Sequence, residues 1–313
     1  MGSRGLWPLA EVQEAEPPAG VRGSAPAVCV CIALVLALFL LSVAAPSAAT
    51  ELKLATWNLE WLTFRPAGDP ALPADVQPKR PEDLARLRAY AAVLDADVVA
   101  LQEVDGPQAA AAVFLPERYV IHMTGDRVVQ RVGFAVRRGL TFTANPDLTA
   151  LELPGSRLRS GADITLDWRG GRLRLLAVHL KSGCRQNRLT DMMRAACPVL
   201  RTQLAALQGW VAQRRAEGVP FALLGDFNRW MDAGDTFYAA LQEGGGLLRA
   251  TEGRSSRCWG GGGFVDHIIA GGAARGWMRP ETLLVLVYRE TGGEWRQLLS
   301  DHCPVSVRFV MPD

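Results

Sequence analysis

Histidines and oxygen-bearing side chains recur in this sequence at the ends of apolar, strand-like runs. Three of the four histidines, His179, His267 and His302, lie in short polar motifs of this kind. The amide and carboxylate residues in similar positions are Asn58, Glu103, Asp226, Asn228, Asp266 and Asp301. Carboxylate and amide oxygens are the ligands that hard divalent cations prefer, and histidine can transfer a proton near neutral pH. Together they predict metal-dependent cleavage of a phosphate ester.

Three of these residues are the candidate metal ligands. Glu103 is a natural ligand for magnesium or manganese, and Asn58 is either a second ligand or a donor that orients phosphate. Asp301, directly before His302, is the third candidate. Each motif alone has a simpler explanation, because an asparagine after a strand is commonly a turn residue and a carboxylate there is commonly solvated. The predicted magnesium or manganese site depends on their occurring together.

Cationic side chains are the candidates for contacting phosphate. His179 and Lys181 are two residues apart at the end of an apolar run, so strand alternation places them on one face. As cations they could hold a phosphate or give a proton to the leaving oxygen. Arg159 is a further candidate, although any single arginine in this arginine-rich sequence can equally be a solvated surface residue.

Two more motifs supply candidates for activating water. Asp226 follows Gly225 at the end of a buried run and could orient or deprotonate water, while Asn228 could hold the phosphate. His302 is the candidate base, and a carboxylate on its other ring nitrogen would fix its tautomer and raise its basicity. Asp266 is the predicted partner. His267, next to it, has equal claims as a functional residue and as a packed structural one.

The elements that must position these residues are strands alternating with helices. Helices are predicted from residue 81, with apolar spacing to residue 94, and over residues 188–217 with a break near Pro198. The predicted strands cover residues 52–57, 97–101, 119–123, 132–136, 140–143, 162–168, 172–180, 221–224, 264–270, 283–288 and 305–310. Strands mixed with helices in this way predict a layered α/β domain with mixed sheets.

The first 49 residues are predicted to be a targeting segment. An apolar run over residues 28–45 follows Arg22, and Ser47-Ala48-Ala49 matches the small-residue pattern of signal peptidase, so cleavage is predicted after Ala49. The run is also just long enough for an uncleaved membrane anchor. Residues 50–313 would then be an exported catalytic domain, periplasmic or secreted, or membrane-anchored if the segment is retained.

The length and composition are those of a folded chain with one large α/β domain or two small ones. The chain is 49% hydrophobic over 313 residues, which is enough to fill a large core. Its net charge of +2 gives no basis for binding nucleic acid through overall charge, so only a local basic patch could do so.

Four cysteines remain once the two in the apolar run are set aside. Their spacing does not match paired zinc ligands, so disulfides are predicted. Of the three possible pairings, we favour Cys184 with Cys197 and Cys258 with Cys303, because each bridge would then brace a loop that carries candidate catalytic residues.

Taken in order, these motifs resemble the endonuclease/exonuclease/phosphatase superfamily, which includes deoxyribonuclease I. The residues that carry the resemblance, over nearly the whole chain after residue 50, are Asn58, Gln102, Glu103, His179, Asp226, Asn228, Asp266, Ser300, Asp301 and His302. The resemblance implies a four-layer α/β/β/α sandwich of two mixed sheets. It also implies a divalent metal at Glu103 with help from Asn58, water activation by His302 paired with Asp266, and Asp226 and Asn228 at the attacked phosphate.

Two positions refine the resemblance. His179 is similar to the histidine of deoxyribonuclease I, sphingomyelinases and inositol phosphatases, where abasic-site endonucleases typically carry tyrosine. The motif around it is most similar to secreted bacterial nucleases. Gln130 stands where deoxyribonuclease I has a glutamate that supports the histidine.

The sequence therefore predicts an exported, magnesium- or manganese-dependent phosphodiesterase that hydrolyses nucleic acid as an endonuclease or exonuclease. The alternatives are a sphingomyelinase or phospholipase C-type enzyme, a phosphomonoesterase of the same superfamily, and a binding module that has kept the fold without catalysis. Nucleic acid is the expected partner and phospholipid the alternative one. No stable protein partner is evident, and a monomer is expected.

Overall fold

The computed structural model describes residues 51–153 and 155–311. They belong to one unit that spans Ala49–Asp313. The apolar run over residues 28–45 and the predicted cleavage after Ala49 lie outside the described residues. Within the described part of the chain, no helix combines the length and apolar character needed to cross a membrane.

Twelve strands in the described residues form two six-stranded sheets. In chain order they are β1 (Glu51–Leu62), β2 (Val98–Val104), β3 (Tyr119–Met123), β4 (Arg131–Arg137), β5 (Thr141–Ala144), β6 (Ala162–Trp168), β7 (Gly171–His179), β8 (Phe221–Asp226), β9 (Leu247–Arg249), β10 (Asp266–Gly271), β11 (Met278–Val285) and β12 (Val305–Val310). The first sheet has the order β11-β12-β1-β2-β4-β3, and the second β5-β6-β7-β8-β10-β9. Both sheets are mixed, because β1–β2 and β7–β8 are parallel and the other neighbouring strands are antiparallel.

Side chains of alternating direction let each sheet bury both of its faces. On β1, Leu52 and Leu54 enter the core between the two sheets, whereas Trp57 and Leu59 enter a second core on the outer face. This is the two-residue periodicity of a strand. Both sheets contribute to the inner core, so the sheets pack face to face.

Helices cover the two outer faces. In chain order the helices are α1 (Pro81–Leu94), α2 (Pro107–Ala111), α3 (Ala196–Ala216), α4 (Thr236–Leu241), α5 (Ala274–Trp277) and α6 (Trp295–Leu298). All of them except α5 lie on these outer faces, because Ala274 of α5 packs in the core between the sheets. Leu84 and Leu87 of α1 pack in the outer core of the first sheet, and Leu200 and Leu207 of α3 pack in that of the second. The predicted four-layer α/β/β/α sandwich of two mixed sheets is confirmed.

The long helix predicted over residues 188–217 is shorter than expected. It begins at Ala196, so residues 188–195 are not helical. Pro198 is the reason, because proline lacks a backbone N–H and is tolerated only in the first turn, where that N–H would have no helical partner. The strand predicted over residues 283–288 was also misplaced, since β11 begins earlier and carries an irregularity between Arg279 and Leu284.

Strand register brings the candidate residues to one edge of the sandwich. His179 at the end of β7 is paired with Asp226 at the end of β8, and Asp226 is paired with Asp266 at the start of β10. In the other sheet, Asn58 of β1 is paired with Gln102 of β2, next to Glu103. The two rows of polar residues therefore come from both sheets.

Only glycine fits at position 225, where the backbone of β8 lies against that of β7. Its φ is +152°, and a Cβ there would lie 2.0 Å from the backbone oxygen of Val178. Because the obstacle is backbone, we expect Gly225→Ala to lower the free energy of unfolding by about 2 to 4 kcal/mol. Gly209 in α3 has no atom within 4 Å of such a Cβ. Gly209→Ala should instead be neutral or stabilising by up to about 1 kcal/mol, and urea unfolding of the two variants measures the difference. Equal stabilities would contradict this account of Gly225.

Candidate active site

His302 and Asp266 form a hydrogen-bonded pair, as the sequence predicts. Nδ1 of His302 lies 2.8 Å from an oxygen of Asp266. Burial alone would lower the pKa of His302, but the carboxylates of Asp266 and Asp226 outweigh it and raise the pKa well above its usual value. The carboxylates therefore stabilise the imidazolium that forms when His302 accepts a proton.

The loop that carries His302 is fixed to the end of β1. The backbone N–H of His302 donates to Oγ of Ser300 at 3.0 Å, and that hydroxyl donates to the backbone oxygen of Asn58 at 2.7 Å. Ser300 is fully buried. These hydrogen bonds hold His302 in one position relative to the first sheet.

Asp226 lies at the centre of the polar cluster. Its carboxylate accepts hydrogen bonds from Asn58 at 3.3 Å and from Asn228. It lies 3.7 Å from Nε2 of His302 and 3.4 Å from Nε2 of His179. Burial raises the pKa of Asp226 to about 7. A water molecule beside the Asp226 carboxylate and Nε2 of His302 could form hydrogen bonds to both.

Asn228 supports Asp226 from within the protein. Its side-chain nitrogen donates to the backbone oxygen of Leu180 and to the Asp226 carboxylate, each at 3.1 Å. Its backbone N–H donates to the same carboxylate at 2.8 Å. Both amide hydrogens therefore have partners within the protein, and the side chain helps to position Asp226; the role of Asn228 at the phosphate stays a prediction.

His179 is buried beside two carboxylates, and the cationic form predicted for it is not favoured. Burial lowers its pKa well below the usual value, with Arg159 and His302 adding to the effect. Its Nε2 lies 3.7 Å from Glu103, while its Nδ1 has no hydrogen-bond partner among the described residues. Gln130 instead accepts a hydrogen bond from Arg159. His179 is therefore best placed to act as a neutral N–H donor.

Oxygen ligands collect where β1 and β2 end. The side chain of Asn58 donates to Glu103 at 3.0 Å, and its oxygen accepts the backbone N–H of Glu60 at 3.0 Å. Glu103 and Glu60 both have left-handed backbone conformations, with φ of 60° and 45°. Such conformations are costly for these residues and concentrate at functional sites. Asp301 belongs to the same group, because its carboxylate is one of the neighbours that raise the pKa of Glu60.

The charge balance of this group fits a divalent cation. Burial, together with the carboxylates of Asp301 and Glu103, raises the pKa of Glu60 to about 8. Crowded carboxylates of this kind would be relieved by a bound cation. Asn58, Glu103 and Asp301 would hold it, and their oxygen-only donor set suits magnesium or manganese. A second cluster, Asp226 with Asp266 and His302, also brings three ligand atoms within 4.8 Å of one another. Because His302 and Asp266 are hydrogen-bonded to each other, this cluster suits proton transfer better than metal binding.

Glu60 is a member of the site that sequence reasoning did not single out. It is two residues after Asn58, so strand alternation could have placed the two on one face. The bend created by the left-handed residues Glu60 and Trp61 obscures that pattern. Lys79, buried in the loop before α1, was missed as well. Burial lowers its pKa to about 8, while Glu60 is the largest influence that raises it.

Arg159 and Lys181 line one basic cavity near these carboxylates. The cavity has a volume of about 510 Å³ and also includes Gln130 and Arg157. Arg159 is buried, and burial lowers its pKa while Glu103 and Asp226 raise it. The cavity is therefore a local basic patch that the net charge of the chain does not reveal.

Both predicted disulfides are present in the structure. Cys184 is bonded to Cys197, with their Cα atoms 5.1 Å apart, and Cys258 is bonded to Cys303, with Cα atoms 5.6 Å apart. The second bridge connects a loop before β10 to the residue after His302. It therefore constrains the loop that carries His302 directly.

His267 has a structural environment. Its Nδ1 lies 2.6 Å from the hydroxyl of Thr251, and its Nε2 lies 2.9 Å from the backbone oxygen of Arg229. The ring also packs edge-on against Phe227. Both ring nitrogens have partners and the residue is buried, which favours the packed role over the functional one.

Burial lowers the pKa of His267 to about 3, and stability should depend on pH accordingly. The unfolded chain takes up a proton at this residue below about pH 6.5, whereas the folded chain does not. The contribution of His267 is therefore complete above pH 6.5 and falls by about 1.4 kcal/mol per pH unit below it. His267→Asn should be less stable at pH 7 but should lose less stability between pH 7 and 5. Parallel urea-unfolding profiles of the two proteins would contradict this.

Known proteins of the same fold were found by comparison of both the sequence and the structure. The model of the Endonuclease/Exonuclease/phosphatase family matches residues 55–302. No curated protein sequence matches the chain. D. rerio TDP2 complexed with single-strand DNA product is 19% identical, covering 84% of this chain and 100% of that one, with a TM-score of 0.56.

Two further solved structures are similar. The human nocturnin catalytic domain with bound sulfate anion is 15% identical, covering 83% of this chain and 94% of that one, with a TM-score of 0.53. The 3′ phosphatase NExo from Neisseria, bound to product DNA hairpin, is 17% identical, covering 82% of this chain and 99% of that one, with a TM-score of 0.51. At these identities the likeness establishes the fold alone.

Proposed function

The chain belongs to the endonuclease/exonuclease/phosphatase family, and from that membership we propose that it is a metal-dependent phosphodiesterase that hydrolyses nucleic acid. The observation that carries the proposal is the 2.8 Å hydrogen bond between His302 and Asp266, beside the buried carboxylate of Asp226. This is an oriented base next to a group that can hold water. The oxygen ligands Asn58 and Glu103 complete the set.

In the proposed reaction, His302 takes the proton of the attacking water at Nε2 as the water oxygen bonds to phosphorus. The bond from phosphorus to the leaving oxygen breaks, and that oxygen takes a proton from solvent. Asp266 holds the opposite nitrogen in the correct tautomer and stabilises the resulting imidazolium. Asp226 orients the water, and Asn228 keeps Asp226 in place. His179 donates its N–H to a phosphate oxygen. A divalent cation held by Asn58, Glu103 and Asp301 would supply charge neutralisation at the phosphate.

Nucleic acid is favoured among phosphate esters because charged groups extend beyond the reacting centre. Arg159 and Lys181 form a basic cavity that could bind the phosphates flanking the cleaved bond. Two proteins of similar fold were solved with single-strand DNA product and with product DNA hairpin. These observations support, for this chain, a polymeric and polyanionic substrate.

A panel of substrates tests the proposal. The purified protein with magnesium should shorten single-stranded DNA or RNA and leave sphingomyelin vesicles and p-nitrophenyl phosphate intact. Release of phosphocholine without cleavage of nucleic acid would favour a lipid phosphodiesterase instead. Release of free phosphate alone would favour a phosphomonoesterase. Inactivity on all four would support a binding module.

We also propose that the enzyme acts outside the cytoplasm. The two disulfides are typical of proteins from oxidising compartments. The apolar run over residues 28–45 would direct export, with cleavage after Ala49 or retention as an anchor. Fractionation of cells followed by N-terminal sequencing tests this. Recovery of the protein from the cytoplasm with four free thiols after residue 49 would contradict it.

A further inference from the structure

A second cavity opens directly beside the catalytic pair. Its volume is about 240 Å³, and its lining includes Asp266 and His302 together with Trp230 and Trp259. We call it the tryptophan cavity. Since the cavity shares Asp266 and His302 with the reacting centre, whatever occupies it must lie next to the attacked phosphate. The mechanism proposed above makes no use of either tryptophan.

Trp230 is held in the wall of the cavity by close backbone contact. A Cβ on Gly263 would lie 2.7 Å from the indole ring, so only glycine allows the ring to approach the loop that leads to Asp266. The backbone N–H of Trp230 donates to the backbone oxygen of Arg185 at 3.0 Å. The guanidinium of Arg185 lies 5.6 Å from the ring centre.

Trp259 is fixed in the wall by a strained backbone and several contacts. Its φ and ψ are 47° and 42°, a left-handed conformation that is costly for a large side chain. Its indole N–H donates to the backbone oxygen of Ser300 at 3.0 Å, and its ring packs 5.3 Å from that of Tyr288. It follows Cys258, which is bonded to Cys303. The same bridge therefore fixes both the cavity wall and the loop of His302.

The rim of the cavity is cationic. The guanidinium of Arg296 lies 5.7 Å from the ring of Trp259, as Arg185 lies over Trp230, and both arginines line the cavity. Half-buried indole rings with exposed arginines beside them offer flat apolar surface next to positive charge. A nucleotide has the complementary chemistry, a flat base joined to a phosphate.

We propose that the tryptophan cavity is a nucleobase subsite, in which the base next to the cleaved phosphate stacks on Trp259 or Trp230 while Arg185 and Arg296 attract its backbone. This inference rests on the proposed nuclease function and specifies its substrate. A base inside a duplex is already stacked on its neighbours, so this base must be unpaired. The enzyme therefore acts on single-stranded or locally unpaired nucleic acid with little preference for which base is present.

The test removes the base from the substrate. The substrates are single-stranded oligonucleotides with cleavage-resistant phosphorothioate linkages everywhere except at one central bond. Three versions carry a normal base on both sides of that bond, an abasic tetrahydrofuran on its 5′ side, or one on its 3′ side. With the full-length wild-type enzyme, one abasic version should have a KM raised by roughly 5-fold or more, the range that stacking on an aromatic ring provides.

Variants show whether the two tryptophans are responsible. In Trp259→Ala or Trp230→Ala the KM ratio between abasic and normal substrate should fall toward 1, whereas Trp259→Phe should retain most of the wild-type ratio. Trp295→Ala is the matched control, because Trp295 also lies under an arginine, Arg86 at 5.0 Å, but does not line the cavity. It should keep the wild-type ratio.

The outcomes separate this inference from the function on which it rests. Equal KM values for all three oligonucleotides in the wild type, or an unchanged ratio in both alanine variants, would overturn the subsite while leaving the nuclease proposal intact. If Trp259→Ala fails to fold, Trp230→Ala and Trp259→Phe decide the question. No cleavage of any version by folded wild-type enzyme would contradict the nuclease proposal itself and the subsite with it.

Discussion

Replacing His302 with alanine is expected to lower kcat by roughly 10²- to 10⁴-fold while changing KM little, because the imidazole acts in the transition state. Its Nδ1 is bound to Asp266 and its Nε2 faces Asp226 at 3.7 Å, so no other described imidazole is oriented in the same way. Steady-state kinetics on an oligonucleotide measure the change.

Asp266→Asn should cause much of the same loss, since the amide cannot hold Nδ1–H in the same way. The double variant His302→Ala with Asp266→Asn should be about as impaired as His302→Ala alone, because the two residues form one unit. Losses that multiply, or a His302→Ala enzyme within a few-fold of wild type, would mean that the proton goes elsewhere. Asp226 would then be the better candidate for the base.

The pH profile adds an independent readout for the same pair. The carboxylate of Asp266 raises the pKa of His302, and the base works only after losing its proton. The acid limb of kcat/KM should therefore move to lower pH in Asp266→Asn, because the pKa of His302 falls when that carboxylate is removed. A limb that stays in place would show that another group sets it.

Removal of divalent cations is expected to abolish turnover. Carboxylates are crowded together at the ends of β1 and β2, where Glu103 accepts a hydrogen bond from the side-chain amide of Asn58 at 3.0 Å. Activity should return with magnesium or manganese after dialysis from chelator. Glu103→Gln should raise the metal concentration for half-maximal activity by roughly 10- to 100-fold.

Glu117→Gln is the matched control for this metal titration, because Glu117 is an exposed glutamate outside the site. Its metal dependence should equal that of the wild type. Full activity in excess chelator, or identical titrations for Glu103→Gln and Glu117→Gln, would show that Glu103 does not hold a required cation.

The strands and the layered α/β class could be predicted from short apolar runs that alternate with helices, whereas the four-layer arrangement was implied by the family resemblance. The run that contains Leu52, Leu54, Trp57 and Leu59 is apolar throughout because both faces of the sheet are buried. Boundaries were less predictable where local chemistry interrupts the pattern. The late start of α3 depends on Pro198, which could break a helix or begin one.

Within the site, the pairing of residues from different loops was easier to predict than the shifts of their pKa values. The pair of His302 and Asp266 could be predicted from residue types and from the family resemblance. The lowered pKa of His179 could not, because it depends on burial in the folded chain. Glu60 was missed because its backbone departs from strand geometry at the position where it turns toward Asp301.

The tryptophan cavity could not have been predicted from the sequence. Trp230 and Trp259 are 29 positions apart along the chain, and no motif in the sequence assigned a role to either of them. The cavity exists because Gly263 lets one indole approach and the disulfide between Cys258 and Cys303 holds the other loop. Close contacts of this kind are properties of the folded chain.

The most direct test of the account is cleavage of a single-stranded oligonucleotide in magnesium by the wild-type protein and by Asp226→Asn, purified in parallel. Asp226 is the residue that contacts both sheets of the site through Asn58 and His179. We expect shortened products from the wild type and a loss of activity of at least about 10²-fold in the variant. An intact substrate with folded wild-type protein, or equal cleavage by the two proteins, would contradict it.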